Sequence, residues 1–370
     1  MLGHPKRRLR YRRLIAGLRQ RAAAHGLARR GGSIVEVAAG WAVQDSPPGA
    51  AALAFAARME TLGAGDLERA LERDKSLLAL YNARTAVAVV PAAEAAAYGA
   101  ALLPPDEEAL AALIGRALPA DGSVGAADAV EITGAAVREA LDERVLSRDA
   151  LHAELRERLP AALLPWCPGC ESHHVRRWLL VTACLRGELC LAGRAGRQPA
   201  FALPDQWLGA PAPTVDVAAA QAGLAGRFAR LYPPGSSAQL ADWAGIPLPH
   251  AERCWARLSE TPAPDGPAGA ADDVRLLPAG DPWLRAPDRA RIVPDPAARK
   301  LIWRAAGAPG VVLAGTTIVA GWRGRKAGGV LRVALDPIAP LDDALVAAIA
   351  AEAARIAPLR GCGTAELAPP

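Results

Sequence analysis

The sequence predicts a helix-rich α+β chain organised as three successive modules. Three observations carry that expectation. At 370 residues the chain is too long for one small domain, and two or three are expected. Short segments with helical apolar spacing are followed by strand-like runs, and that order returns twice after its first appearance. No repeat exists at the level of sequence, so the recurrence is one of architecture. The expected modules are residues 1–103, 104–214 and 215–362, with 363–370 as a loose tail.

In the first module, residues 8–25 read as a basic amphipathic helix, with Leu9, Leu14, Ile15, Leu18 and Ala22 at helical spacing and Arg between them. Ser33 is placed to cap a helix from Ile34 to about Gly40, and Glu36 completes a capping-box pattern. Asp45 or Ser46, ahead of Pro47, is expected to start the next helix, which runs to about Met59. Another helix begins at Asp66, and residues 84–90 look like a strand. Short helices followed by a strand suggest a winged helix, which lays one helix on DNA with a hairpin beside it.

The second module has helices near 104–117, 127–142 and 148–158, a turn at 165–171, a helix at about 172–185 and a hairpin through 187–201. The hairpin tip Gly193-Arg194-Ala195-Gly196-Arg197-Gln198 joins turn-permitting Gly to Arg that could reach phosphate or the minor groove. An ordinary surface hairpin would read the same way. The third module has a helix at 216–232, a helix capped by Ser236 or Ser237 through Trp243, a turn at Gly245 and a helix at 249–258. A Pro, Gly and Asp loop at 261–273 follows. Strand-like pieces then lie at 274–277, 311–314, 316–322 and 329–335, ahead of a C-terminal helix at about 340–356.

The net charge of +5 is modest, but its distribution is not even. Residues 1–35 hold no acid and carry ten Lys and Arg, among them Arg12 and Arg13. Such a block either neutralises phosphates or forms a solvated face. Arg greatly outnumbers Lys, and Ala, Gly and Pro are abundant, a bias that fits a GC-rich genome and makes the Arg count alone uninformative. The six cysteines are dispersed and no secretory signal or membrane span is legible, so a reduced, cytoplasmic, nucleoid-associated protein without a membrane partner is expected. No P-loop, dinucleotide fingerprint or nucleophilic triad is present.

Cys167-Pro168-Gly169-Cys170 with His173 and His174 has one pair at metal-ligand spacing. All four candidates fall within eight residues and no distant second pair appears, so neither a metal nor any other cofactor is expected. In the alternative, Ser172, His173 and His174 open a helix whose N-terminus approaches DNA phosphate. His4, His25, His152 and His250 belong to no constellation in the sequence.

Several segments together resemble the AlkZ-like (YcaQ-type) family of winged-helix DNA glycosylases. They are Gly40-Trp41-Ala42-Val43-Gln44-Asp45-Ser46-Pro47, Ser76-Leu77 with Arg84-Thr85-Ala86-Val87-Ala88, and Trp166-Cys167-Pro168-Gly169-Cys170 through Val175. After these come Gly193 to Gln198, Asp205-Gln206-Trp207-Leu208-Gly209, Asp281-Pro282-Trp283-Leu284, Asp288-Arg289 and Val319-Ala320-Gly321-Trp322-Arg323. Each motif is weak alone; their order and spacing span nearly the whole chain. The resemblance implies three tandem winged helices around a DNA channel, and metal-free hydrolysis of the glycosidic bond of alkylated guanine in double-stranded DNA. It also implies bulky natural-product adducts as substrates and, by analogy, self-resistance in a producer organism.

Alkylation at the major-groove ring nitrogen puts positive charge on guanine, so the base leaves readily and the sugar approaches an oxocarbenium ion. A water must be aimed and the cation stabilised; a strong base is less necessary. Gln44 is the candidate to orient that water through its carbonyl, with Asp45 as electrostatic support or simply as a helix cap. Arg12, Arg13, Arg84, His173, His174, Arg194, Arg197, Arg323 and Arg325 are the candidate DNA contacts, although Arg84 could equally support the core. The sequence departs from the family at Ala42, where the first Gln of a Gln-apolar-Gln motif would stand, at Thr85 in place of Gly, and at Ala88 in place of His. Gln44 then suffices, or Ala42 makes room for a larger adduct, or catalysis is lost and a DNA-binding sensor or regulator remains. With only four Lys and none at a matched position, Schiff-base lyase chemistry is not expected, and a monofunctional, monomeric enzyme is the default.

Overall fold

The computed structural model describes residues 16–29, 32–259 and 273–368. The chain forms two units. The first comprises Met1–Leu67, Arg230–Pro234 and Pro262–Pro370; the second comprises Glu68–Ala229 and Gly235–Thr261. Each draws on separated stretches, whereas the sequence reading divides the chain into consecutive ones. The fold is mixed and helix-rich, as expected.

The first unit is built on a five-stranded sheet in the order Thr364–Leu367, Val330–Pro337, Thr317–Ala327, Gly310–Ala314, Val274–Leu277. Neighbours are antiparallel except the first pair, which is parallel. Residues 364–367, read from sequence as part of a loose tail, are therefore an edge strand. Their partner is Val330–Val333, far off in the chain, and no local pattern announces such a pairing. Gly328 and Gly329, both at positive φ, close the long central hairpin in two residues, the geometry that matches strand twist.

Helix Asp343–Ile356, capped by Asp342, lies on this sheet. Its Ile349, Ala353 and Ile356 join Leu276, Val312, Trp322, Leu331 and Val333 in one core. Leu53 and Ala56, from the short helix Ala50–Ala56, are buried in the same cluster. The segment just before that helix, which contains Gln44, is thus tied to the sheet through the core. Ser33 and Glu36 form the expected capping box at the start of helix Ile34–Gly40. The basic helix is present over 16–24, with Leu18 and Ala22 buried; Arg12 and Arg13 lie outside the described residues.

The second unit contains strands in the order Val87–Pro91, Leu77–Tyr81, Cys190–Ala195, Gln198–Ala202, Leu146–Ser147, all antiparallel. Arg84 and Thr85, expected within a strand, fall in the turn of the first hairpin; the strand proper is Val87–Pro91. Thr85 has a φ of 62°, the left-handed region, at the position where the resembled family has Gly. Helices Ala126–Leu141 and Arg148–Arg158 match their expected spans. Helix Arg177–Leu185 starts later than expected, because Trp166–Cys167 and Ser172–His173 pair as a small hairpin instead. Ser172, His173 and His174 therefore do not form a helix N-terminus, and the helix on which the sequence reading places them begins at Arg177. Helices Ser237–Ala244 and Leu248–Ala256 are joined at Gly245, whose φ of 76° suits the turn of a helix pair.

Candidate active site

Helix Ile34–Gly40 ends where Trp41 turns to extended backbone, and Val43–Gln44 continue as a short strand. Alternation along this stretch buries Trp41 and Val43 and leaves Ala42 and Gln44 half-buried on the other side. The Gln44 amide is oriented: Nε2 donates to the Ser46 carbonyl at 2.9 Å. Its acceptor, Oε1, is thereby the end directed away from that carbonyl. A second element restricts the side chain. Gly280 packs so closely that a Cβ there would sit 2.6 Å from Gln44 Nε2, and its φ of 81° is one that glycine accepts freely.

Asp45 works as a cap, though not for a helix starting at 46 or 47. Its Oδ1 accepts from the N–H groups of Gly49 at 2.8 Å and Ala51 at 2.9 Å, so the helix starts at Ala50. A carboxylate at this end of a helix also meets the positive end of the dipole.

Beneath Gln44 lies a buried polar core. Arg58, inside the unit at 1% side-chain exposure, forms a two-pronged pair with the fully buried Asp281, both bonds at 2.8 Å. The same guanidinium donates to the carbonyls of His25 and Ala54 and stacks 4.5 Å from the Trp41 ring centroid. Asp281 in turn accepts from the Trp283 N–H at 2.9 Å. Arg58 thus links Trp41, three residues before Gln44, to Asp281, one residue after Gly280. His25 sits among Trp41, Tyr232 and Trp283, and its Nε2 lies 3.3 Å from the Leu231 carbonyl. A cavity of about 460 Å³ opens beside this segment, walled by Trp41, Arg58, Arg230 and small residues of the two N-terminal helices.

The model of the family described as DNA glycosylase AlkZ-like matches residues 37–359. The chain belongs to the AlkZ-like DNA glycosylase family. Its fold is similar to that of the Streptomyces sahachiroi DNA glycosylase AlkZ, with a TM-score of 0.69 at 20% identity, over 95% of this chain and 99% of that one. No curated protein sequence matches the chain. Among the described residues, no helix is long and apolar enough to cross a membrane.

The remaining candidates of this AlkZ-like chain are dispersed. Arg194 and Arg197 stand exposed at the hairpin tip, where Gly196 at φ 62° makes the turn, and the Arg194 guanidinium bonds the Arg197 carbonyl. Arg323 and Arg325 project from the same face of the long hairpin, two residues apart. Arg323 is engaged by Asp336 at 2.7 Å and by the Gly307 carbonyl at 2.9 Å. Arg84 bonds the Asp242 carbonyl and so fastens its turn to helix Ser237–Ala244. His173 lies 2.8 Å from the Leu164 carbonyl through Nδ1, beside the exposed Trp166.

Sequence reasoning missed Arg58, His25 and Gly280. Asp281 and Trp283 stand in a quoted motif but received no role. His25 is held well below its usual range by burial and then by the nearby charges of Arg58 and Arg21. His250 is also lowered by burial, with its Nε2 2.9 Å from the Ala101 carbonyl. Both hold the neutral form more firmly when folded than when unfolded, where they take a proton near pH 6.5. The unfolded state therefore binds more protons below that value, and stability falls as the pH drops from about 6.5 towards 5. Lowered carboxylates such as Asp288 act only at more acidic pH. Denaturant midpoints at pH 7.5 and 5.5 test this; an unchanged or higher midpoint at pH 5.5 would refute it.

Proposed function

We propose that the chain hydrolyses the N-glycosidic bond of guanine alkylated at its major-groove ring nitrogen, with bulky adducts preferred, and that Gln44 aims the attacking water. The observation that carries this reading is the fixed amide of Gln44, restrained between Ser46 and Gly280 with its acceptor end turned away from the Ser46 carbonyl. A cationic base is a good leaving group, so positioning the water and offering negative charge to the oxocarbenium-like sugar are what the protein must supply. Gln44 Oε1 accepts from the water. Asp45 supports it by fixing the turn through the Gly49 and Ala51 N–H groups and by placing negative charge one residue from Gln44.

Residues two apart in an extended segment share a face, so a side chain at 42 would stand beside Gln44. Ala42 leaves that place open, which suits a larger adduct. The exposed Arg194, Arg197 and Arg325, together with Arg12 and Arg13, contact the phosphates of double-stranded DNA, and Arg323 supports the same hairpin face. The reaction is glycosylase-only and the working form is a monomer.

The test is base release from duplex DNA bearing either a methylated guanine or a bulky intercalator-type guanine adduct. Release from the bulky adduct is expected, with Gln44→Ala slowing it by at least ~10²-fold while DNA affinity stays within about twofold. Ala42 also favours a second reading, a non-catalytic lesion sensor. Tight binding without release from either substrate would support the sensor, and release that persists in Gln44→Ala would remove Gln44 from the mechanism.

A further inference from the structure

We propose that Cys167, Cys170, His174 and His152 form a structural zinc site in the second unit. The ligand atoms of Cys167, Cys170 and His174 already lie within 4.8 Å of one another. Tetrahedral zinc, with bonds of about 2.3 Å to sulfur and about 2.0 Å to nitrogen, holds its donor atoms roughly 3.5 to 3.8 Å apart, so capture draws this group in by about an ångström.

The local backbone is built for such a capture. Cys167 and Cys170 flank a tight turn of the small hairpin, in which the Cys170 N–H donates to the Cys167 carbonyl at 3.2 Å. Thiolate is the form that binds metal.

His174 has the orientation of a ligand. Its Nδ1 lies 2.9 Å from the Val175 carbonyl, which fixes the proton on that nitrogen. Nε2 is left as the lone-pair end; it is buried and has no well-formed hydrogen bond. The fourth ligand comes from a different element. His152, on helix Arg148–Arg158, has its ring centroid 4.7 Å from that of His174, and its Nδ1 is likewise buried and unpartnered among the described residues. Two buried imidazole nitrogens without a well-formed hydrogen bond, one of them grouped with two thiols, are costly unless something pairs them. A divalent cation with a taste for sulfur and imidazole, in tetrahedral geometry, does so, and two thiolates leave the site neutral. The ion would pin the hairpin of residues 166–173 to the helix that carries His152.

The experiment uses the full chain. The other four cysteines are buried, so a thiol reagent applied to the native protein reads Cys167 and Cys170. Protein purified without chelator is expected to release about one zinc per chain on mercurial titration. Cobalt(II) exchanged into the chelated protein is expected to give a tetrahedral spectrum with thiolate charge-transfer bands, and to protect both thiols. Cys170→Ser should abolish the charge-transfer signature of a second thiolate, and His152→Ala should weaken cobalt binding at least ~10-fold. Absence of metal together with an octahedral cobalt spectrum in the wild type overturns the proposal whether or not the variants fold. So does a Cys167–Cys170 disulfide in freshly purified protein, or a His152→Ala chain with unaltered affinity and spectrum.

Discussion

Asp281→Asn is expected to destabilise the first unit by about 3–5 kcal/mol, among the largest effects of any single substitution in the chain. The change keeps the shape and removes the charge. It leaves the Arg58 guanidinium at 1% exposure with no counter-ion, still held by the carbonyls of His25 and Ala54. A buried cation cannot be rehydrated without opening the core around Trp41, His25 and Trp283. Replacing both partners by apolar residues of similar volume, Arg58→Met with Asp281→Leu, removes the uncompensated charge and should recover much of that loss. Urea midpoints for Arg58→Met, Asp281→Leu and the double change form the cycle, with Asp281→Asn measured beside them. A loss below about 1 kcal/mol for Asp281→Asn would mean that water reaches Arg58, and the pair would no longer explain how the loop at 280–283 is held.

How much of this was legible depended on how local each signal is. Ser33 with Glu36, and Ser236 ahead of its helix, were readable because a cap is chemistry within four residues. Strand Leu77–Tyr81 carries no legible strand signal, because five buried residues in a row have no alternation and look the same in a helix. The edge strand at 364–367 depends on a partner more than thirty residues away, so its sequence resembles a tail. The stretch 172–174 reads as a helix start because it follows the turn at 165–171, whereas pairing with Trp166–Cys167 decides its backbone.

The site divides the same way. Gln44 stood out only through the family motif; a lone Gln near a helix carries no signal. Asp45 could be read as a cap, but the helix it serves starts at Ala50. Arg58 and Asp281 are 223 positions apart, and neither residue type suggests the other. His152 lies on the helix Arg148–Arg158, well before the Cys-x-x-Cys pair, which is why a reading based on close spacing counts Cys167, Cys170, His173 and His174 and passes over it.

Gly280→Ala is expected to separate positioning from binding. The new methyl would stand 2.6 Å from Gln44 Nε2 and 3.2 Å from its Cδ, too close for both to remain. The backbone at φ 81° resists following, since a non-glycine residue there is already strained by about 1 kcal/mol. Gln44 is the flexible partner and must move, losing its bond to the Ser46 carbonyl and with it the orientation of Oε1. If that oxygen aims the water, a displacement of about an ångström should slow base release by roughly 10²-fold while DNA affinity is nearly unchanged. Gly65→Ala is the matched control: its φ of 88° imposes similar strain, and nothing lies within 4 Å of the added carbon. It should lower stability by a comparable amount and leave the single-turnover rate alone. Equal rates for Gly280→Ala and Gly65→Ala would show that the exact placement of the Gln44 amide does not matter, and the water-aiming role would have to pass to another group.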